Sequence, residues 1–258
     1  MRKTKISVVN YLNSRPFIFG LENSELSKDI DLQLDIPSVC AEKLEEGTID
    51  IGLVPVAILP EMEEYYFISD YCIGANGEVG SVLLLSDVPL NEIKTILLDY
   101  QSRTSVLLAQ ILAEKFWKIS PQWTDAEENF ETEIHGPVAA VVIGDRTFEL
   151  KNKFKYVYDL AAEWKKFTQL PFVFACWVSN KELDRSFVKQ FNEALRFGLR
   201  NVEEVVDQYK KEKGNSLDVK DYLENKISYA FDERKKFALD LFLKYVGENM
   251  ESNLLKIL

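Results

Sequence analysis

Short hydrogen-bonding side chains crowd two places in this chain where an apolar run stops and a helix-like segment begins. The first is Lys5-Ile-Ser-Val-Val-Asn-Tyr-Leu-Asn-Ser-Arg-Pro16 and the second is Lys94-Thr-Ile-Leu-Leu-Asp-Tyr-Gln-Ser-Arg-Thr-Ser105. In an open α/β sheet, ligands bind at the carboxyl ends of the strands, where helix N-termini point unpaired backbone N–H groups. Each of these two ends carries an Arg and several hydroxyls or amides, so the pair predicts a two-jawed site for a small anion.

A helix cap needs one short polar side chain. Asn10, Tyr11, Asn13, Ser14 and Arg15 instead share a single turn, and they read as ligand contacts, with purely local capping as the alternative. In Ser102-Arg-Thr-Ser105 one hydroxyl serves as the cap. The rest are left to hold a carboxylate or phosphate at the positive end of the helix dipole. Gly77-Glu-Val-Gly-Ser81 brings flexible backbone and one hydroxyl together. It reads either as a hairpin or bulge, or as a close approach of Gly80 and Ser81 to a ligand. Gly144-Asp145 closes the apolar run Val138–Ile143, so Asp145 either enters the site or forms a turn. In Phe172-Val-Phe-Ala-Cys-Trp177, core packing competes with a role for Phe174 or Trp177 in covering a flat ligand. Tyr158, Asp159 and Trp164 would then form a neighbouring wall.

Much other chemistry is excluded. The one histidine, His135, precedes Gly136-Pro137 and reads as a loop residue, which leaves Ser–His and Cys–His nucleophiles and histidine metal clusters without support. No G-x-x-x-x-G-K-[ST] or G-x-G-x-x-G pattern is present, so a small organic acid is favoured over a nucleotide, and no cofactor or metal is implied. Cys40, Cys72 and Cys176 are odd in number and widely spaced, which predicts buried, reduced thiols.

The elements that must position these residues follow from composition and pattern. With 258 residues, 47% hydrophobic and 28% charged, the chain is an ordinary globular protein. A net charge of −11 with no basic run argues against nucleic acid and anionic membranes as partners. No apolar window reaches the about 20 residues of a membrane span, and no signal-length core follows the basic start, so a cytoplasmic protein is expected. Strands are expected at Lys5–Val9, Asp31–Ile36, Ile49–Pro55, Tyr66–Ala75, Val79–Leu85, Thr95–Leu98, Val138–Ile143, Phe154–Asp159 and Leu170–Val178. Helices are expected at Arg15–Gly20, from a Ser38 cap through Glu46, at Ser102–Lys118, and over most of the chain from Ser179 to Leu258. The fold class is α/β. The block 86–176 has its own β-α-β content and reads as an inserted second lobe. Residues 1–85 and 177–258 form the first lobe, with a ligand cleft expected between the two.

The motifs Val9-Asn-Tyr-Leu-Asn-Ser-Arg-Pro16, Gly52-Leu-Val-Pro55, Gly77-Glu-Val-Gly-Ser-Val82, Ser102-Arg-Thr-Ser105, Ile143-Gly-Asp145, Asp159-Leu160 and Thr168-Gln-Leu-Pro-Phe-Val-Phe-Ala175 together resemble the chorismate dehydratase family of the futalosine route to menaquinone. The resemblance runs in order over about two thirds of the chain. It implies a type II periplasmic-binding-protein-like fold used as a cytoplasmic enzyme, a carbon–oxygen lyase. Chorismate would be the small-molecule substrate and 3-[(1-carboxyvinyl)oxy]benzoate the product. Asn13, Ser81 and Asp145 are then the candidate catalytic residues. Tyr11, Ser14, Arg15, Gly80, Ser102, Arg103, Thr104, Ser105, Phe174 and Trp177 are the candidate substrate contacts. The alternatives are a 1,4-dihydroxy-6-naphthoate synthase of the same pathway, which is expected to need a functional histidine, and a non-catalytic small-anion-binding protein, which normally needs export. Oligomeric state is left open.

Overall fold

The computed structural model describes residues 2–214 and 217–255, so Met1 and the last three positions of the expected C-terminal helix, 256–258, lie outside the described residues. In chain order the elements are β1 (Thr4–Val9), α1 (Arg15–Glu22), β2 (Ile30–Asp35), α2 (Pro37–Glu45), β3 (Ile51–Pro55), β4 (Tyr66–Ala75) and β5 (Val82–Ser86). There follow β6 (Thr95–Leu98), α3 (Arg103–Ile111), β7 (Gln122–Asp125), β8 (Val138–Ile143), α4 (Thr147–Leu150), β9 (Tyr156–Asp159), α5 (Leu160–Thr168) and β10 (Phe172–Ser179). The chain ends in α6 (Arg185–Arg200), α7 (Val202–Lys213), α8 (Val219–Asp221) and α9 (Glu233–Leu255). Among the described residues no helix is long and apolar enough to cross a membrane.

The chain divides into two compact units, 1–74 with 173–232 and 75–172 with 233–258. The first unit holds a sheet of order β2-β1-β3-β10-β4. Strand β1 runs parallel to β2 and β3, and β10 runs antiparallel to β3. All of Ile51–Pro55 and Phe172–Ser179 is buried, as central strands covered on both faces require. Phe17 packs edge-on against Trp177 at 5.7 Å and Tyr229 at 5.2 Å, and Trp177 meets Phe191 at 4.9 Å. Helix α6 is capped by Asp184, whose carboxylate accepts the Ser186 and Phe187 N–H groups.

The second unit holds a sheet of order β7-β6-β8-β5-β9. Strand β6 is parallel to β7 and β8, whereas β5 is antiparallel to β8 and β9. Helix α9 contributes buried Ala238, Leu239, Phe242 and Val246. Its Phe242 ring lies 5.2 Å from Phe172 and 6.3 Å from Trp164.

Several expectations need correction. The sequence pattern places 79–85 in the first lobe, but Leu83 pairs with Val142 and Asp159, so β5 is a strand of the second sheet. The C-terminal helix likewise joins the second unit rather than the first. An apolar run identifies a buried strand without naming its partners, and both errors follow from that. Ser38 does not cap α2: Ile36 occupies the cap with no side-chain bond and Pro37 opens the helix with its fixed φ. The helix expected through Lys118 is α-helical only to Ile111, then widens into a π turn over Leu112–Trp117 that ends at left-handed Lys118. The short polar strand β7 lacked a readable period, whereas α5 carries a helical spacing at Leu160, Ala161 and Trp164 that the expected elements do not include.

Helices α1 and α6 touch through glycines. A Cβ on Gly198 would sit 1.7 Å from the Pro16 carbonyl oxygen, and one on Gly20 would sit 2.1 Å from that of Ala194. By helix propensity alone, Gly198→Ala would stabilise by about 1 kcal/mol. The backbone contact reverses the sign, and overpacking of this kind costs about 1–3 kcal/mol. Thermal unfolding of Gly198→Ala is therefore expected to show a lower midpoint than wild type, and a raised midpoint would refute the close-approach account.

Candidate active site

Strand register gathers four of the polar motifs at one edge of the second sheet. Because β6 is parallel to β8, Leu98 and Ile143 end at the same side. Antiparallel β5 begins there, with Val82 opposite Ile143, and β9 ends there, with Asp159 opposite Leu83. Ser81, Asp99, Gly144 and Asp159 therefore cluster along that edge, next to the start of α3.

Buried hydrogen bonds tie these chain ends together. The fully buried Asp99 carboxylate accepts the Gln101 N–H at 3.0 Å and the Ile143 N–H at 2.9 Å, and pairs with the Arg146 guanidinium. Arg146 also pairs with Glu131 at 2.6 Å, donates from Nε to the Ile143 carbonyl at 3.1 Å and lies 5.2 Å from the Phe130 ring centre. Burial pushes the Asp99 carboxyl above its ordinary pKa, opposed by Arg146 and the backbone donors. Gly144 N–H donates to the Ser81 carbonyl at 2.9 Å. Thr147 Oγ1 lies 2.8 Å from the Gly144 carbonyl and 3.1 Å from that of Gly80. Asp159 accepts the Val79 N–H at 2.9 Å and the Gly80 N–H at 2.6 Å on one oxygen, and caps α5 through the Ala162 N–H at 3.0 Å on the other. Burial raises its pKa as well, again against these donors.

At the start of α3, Ser102 is the cap, its Oγ accepting the Ser105 N–H at 3.1 Å. Ser81, Ser102, Thr104 and Ser105 are all buried, while Arg103 and Asp145 are half-buried. The segment before Ser81 is not a hairpin, because β4 and β5 belong to different sheets. Gly77 and Gly80 instead carry the chain through φ of 129° and 76°. Such backbone suits glycine alone.

In the first unit, Tyr11 is extended and leads into the single 3₁₀ turn Leu12–Ser14, after which α1 begins. Neither helix start has a side-chain cap bond, so local capping does not explain this polar cluster. Ser14 Oγ donates to Asn13 Oδ1 at 3.0 Å, and the Tyr229 hydroxyl donates to the Asn13 carbonyl at 2.9 Å. Burial holds the Tyr229 pKa well above the ordinary phenol value. Arg15 pairs with Glu212 at 3.2 Å. Asn10 is exposed, and its N–H donates to the Asp35 carbonyl.

The aromatic candidates lie in cores. Phe174 and Trp177 are buried in β10, and Trp177 Nε1 has no hydrogen-bond partner among the described residues. Trp164 is fully buried and donates to the Pro171 carbonyl at 3.0 Å, so it is core rather than the expected wall. The Tyr158 hydroxyl accepts the Leu90 N–H at 3.2 Å. His135 is exposed in a loop. The three cysteines are free and buried, with the Cys40 thiol pushed up to about 12 by desolvation. Among the described residues no His, Cys, Asp and Glu cluster suits a metal ion. Sequence reading missed the braces Asp99, Arg146 and Thr147 and the capping role of Asp159. The local signal was an acid directly after the apolar run of β6 for Asp99, and an acid directly before α5 for Asp159.

The family model described as menaquinone biosynthesis matches residues 4–248. A chorismate dehydratase of Campylobacter jejuni is 30% identical over 92% of this chain and 94% of its own, and one of Thermus thermophilus is 26% identical over 82% and 85%. Among solved structures, protein AF1704 of Archaeoglobus fulgidus aligns at a TM-score of 0.73 with 14% identity, covering 98% of both chains. The aliphatic sulphonate binding protein SsuA of Escherichia coli aligns at 0.62 with 14% identity, covering 98% of this chain and 94% of its own. The Candida albicans CA3427 product, described as having the generic periplasmic binding protein fold, aligns at 0.57 with 14% identity, covering 98% and 96%. The fold is thus of the periplasmic-binding-protein-like α/β class.

Arg146→Ala would strand the buried Asp99 charge, a change that costs about 3–5 kcal/mol. With its counter-charge gone, Asp99 has a folded pKa still further above its unfolded value, so the folded variant gains stability by taking up a proton as pH falls. Urea unfolding should therefore show a larger loss near about pH 8 than near about pH 5. Equal losses at both would rule out Asp99 as the stranded group.

Proposed function

We propose that this chain, which belongs to the menaquinone biosynthesis family, is a chorismate dehydratase that eliminates water from chorismate to give 3-[(1-carboxyvinyl)oxy]benzoate. The reading makes it a carbon–oxygen lyase of the futalosine route, working in the cytoplasm. The observation that carries it is a match to chorismate dehydratases along nearly the whole chain. Its support from the structure is the gathering of the Ser81, Ser102–Ser105 and Asp145 motifs at one sheet edge.

The substrate's own chemistry sets what the protein must supply. Its ring carboxylate is conjugated to a double bond, which makes the proton on the ether-bearing carbon vinylogously acidic. Loss of that proton and of the neighbouring hydroxyl leaves an aromatic ring and one water. A strong protein base is therefore not required. In this mechanism Thr104, Ser105 and the Ser102-capped start of α3 hold one substrate carboxylate. Asn13 and Ser81 orient the reacting carbon and hydroxyl, and the substrate's enolpyruvyl carboxylate takes the proton. Asp145 is the protein base in the alternative version.

Purified protein incubated with chorismate should yield the aromatic product, followed by ultraviolet absorbance and mass spectrometry. Unchanged chorismate would overturn the reading. Asn13→Ala and Ser81→Ala should each lower kcat by about 10²-fold with a smaller change in KM. Retention of full turnover in both would remove them from the mechanism. Asp145→Asn is expected to stay active, and its inactivation would transfer the base role to Asp145.

A further inference from the structure

The loop that presents Ser81 is fastened by a series of hydrogen bonds. A Cβ on Gly77 or Gly80 would meet nothing within 4 Å, so these two glycines are not wedged in place, although the Val79 side chain between them is buried. The peptide groups of the loop are fastened one after another. The Val79 and Gly80 N–H groups donate to Asp159, the Gly80 carbonyl lies 3.1 Å from Thr147 Oγ1, and the Ser81 carbonyl accepts the Gly144 N–H at 2.9 Å. The start of the loop is held too, since Lys165 on α5 donates to Asn76 Oδ1 at 2.9 Å. Thr147 is completely buried and Ser81 is 2% exposed. Desolvating a carboxylate and burying a hydroxyl cost free energy unless they are bonded. Here both serve the backbone of one glycine-rich loop.

We propose that Asp159 and Thr147 are positioning residues for the dehydration, clamping the peptides on either side of Gly80 so that the Ser81 hydroxyl is presented in one orientation. This rests on the role given to Ser81 above. These bonds fix the backbone on both sides of Ser81. Asp159 suits the task because its two oxygens divide the work, one taking both loop N–H groups and the other capping α5. An amide in its place has a single acceptor oxygen and cannot do both.

Three variants test this. Thr147→Val keeps the shape and removes the hydroxyl, and it should lower kcat by about 10²-fold while KM stays within about threefold. Thr147→Ser should restore kcat to within about threefold of wild type, a rescue that a packing role for the methyl group would not give. Asp159→Asn should lower kcat in the same way and speed amide hydrogen exchange at Val79 and Gly80 by about tenfold or more, with exchange in the strands unchanged. Wild-type kcat in Thr147→Val, failure of the serine rescue, or unchanged exchange in Asp159→Asn would each overturn the clamp. Wild-type protein inert toward chorismate would overturn the functional reading alone, and the exchange measurement would still decide whether Asp159 holds the loop.

Discussion

Strand β5 runs antiparallel to both of its neighbours, β8 and β9, and the polar edge of the second sheet depends on that reversal. In a parallel arrangement the start of β5 would lie at the far side of the sheet from the ends of β6 and β8. Reversed, it sets Ser81 beside Gly144 and within reach of Asp159, where strand ends and the start of α3 already supply polar groups. The pairing also explains the glycines on either side. Both the chain entering β5 and the chain leaving β8 turn sharply, at Gly80 with φ 76° and Gly144 with φ 77°.

Two carboxylates, Asp99 fully buried and Asp159 half-buried, brace this edge. Asp99 joins the end of β6 to the end of β8 and to Arg146, and Asp159 joins the end of β9 to the loop before β5. For both, burial raises the pKa and surrounding donors oppose the rise. Their oxygens are committed to backbone N–H groups and a guanidinium. This division of labour fits the chemistry proposed for the site. An elimination driven by aromatisation needs a rigid polar frame more than a strong base.

The first unit positions its polar turn by a different device. The turn at Leu12–Ser14 leads directly into α1, and α1 is fixed against α6 by the glycine contact at Gly20 and Gly198. The Tyr229 hydroxyl on the Asn13 carbonyl then anchors the turn itself. Arg15, one of the two arginines whose charge suggests an anion contact, is paired with Glu212. A charged side chain in a sequence does not announce whether its partner is a ligand or its own chain.

Sequence alone determined what is local. Apolar runs located β6 and β8 at their observed bounds, because a strand buried on both faces is almost continuously apolar. The start of α3 and the presence of a hydroxyl cap among Ser102, Thr104 and Ser105 were legible because one turn contains both the donor and the acceptor, while the structure selects Ser102. Clusters of hydroxyls and amides at strand ends marked the candidate motifs for the same reason. What the tertiary structure decided is which motif meets which. Partner choice put β5 and α9 in the second unit, made Trp164 and Trp177 core residues, and recruited Asp99, Arg146, Thr147 and Asp159 as braces. Those bonds join residues such as Asp159 and Gly80, 79 positions apart. No local pattern of residue types encodes a contact that exists only after the strands have chosen their neighbours.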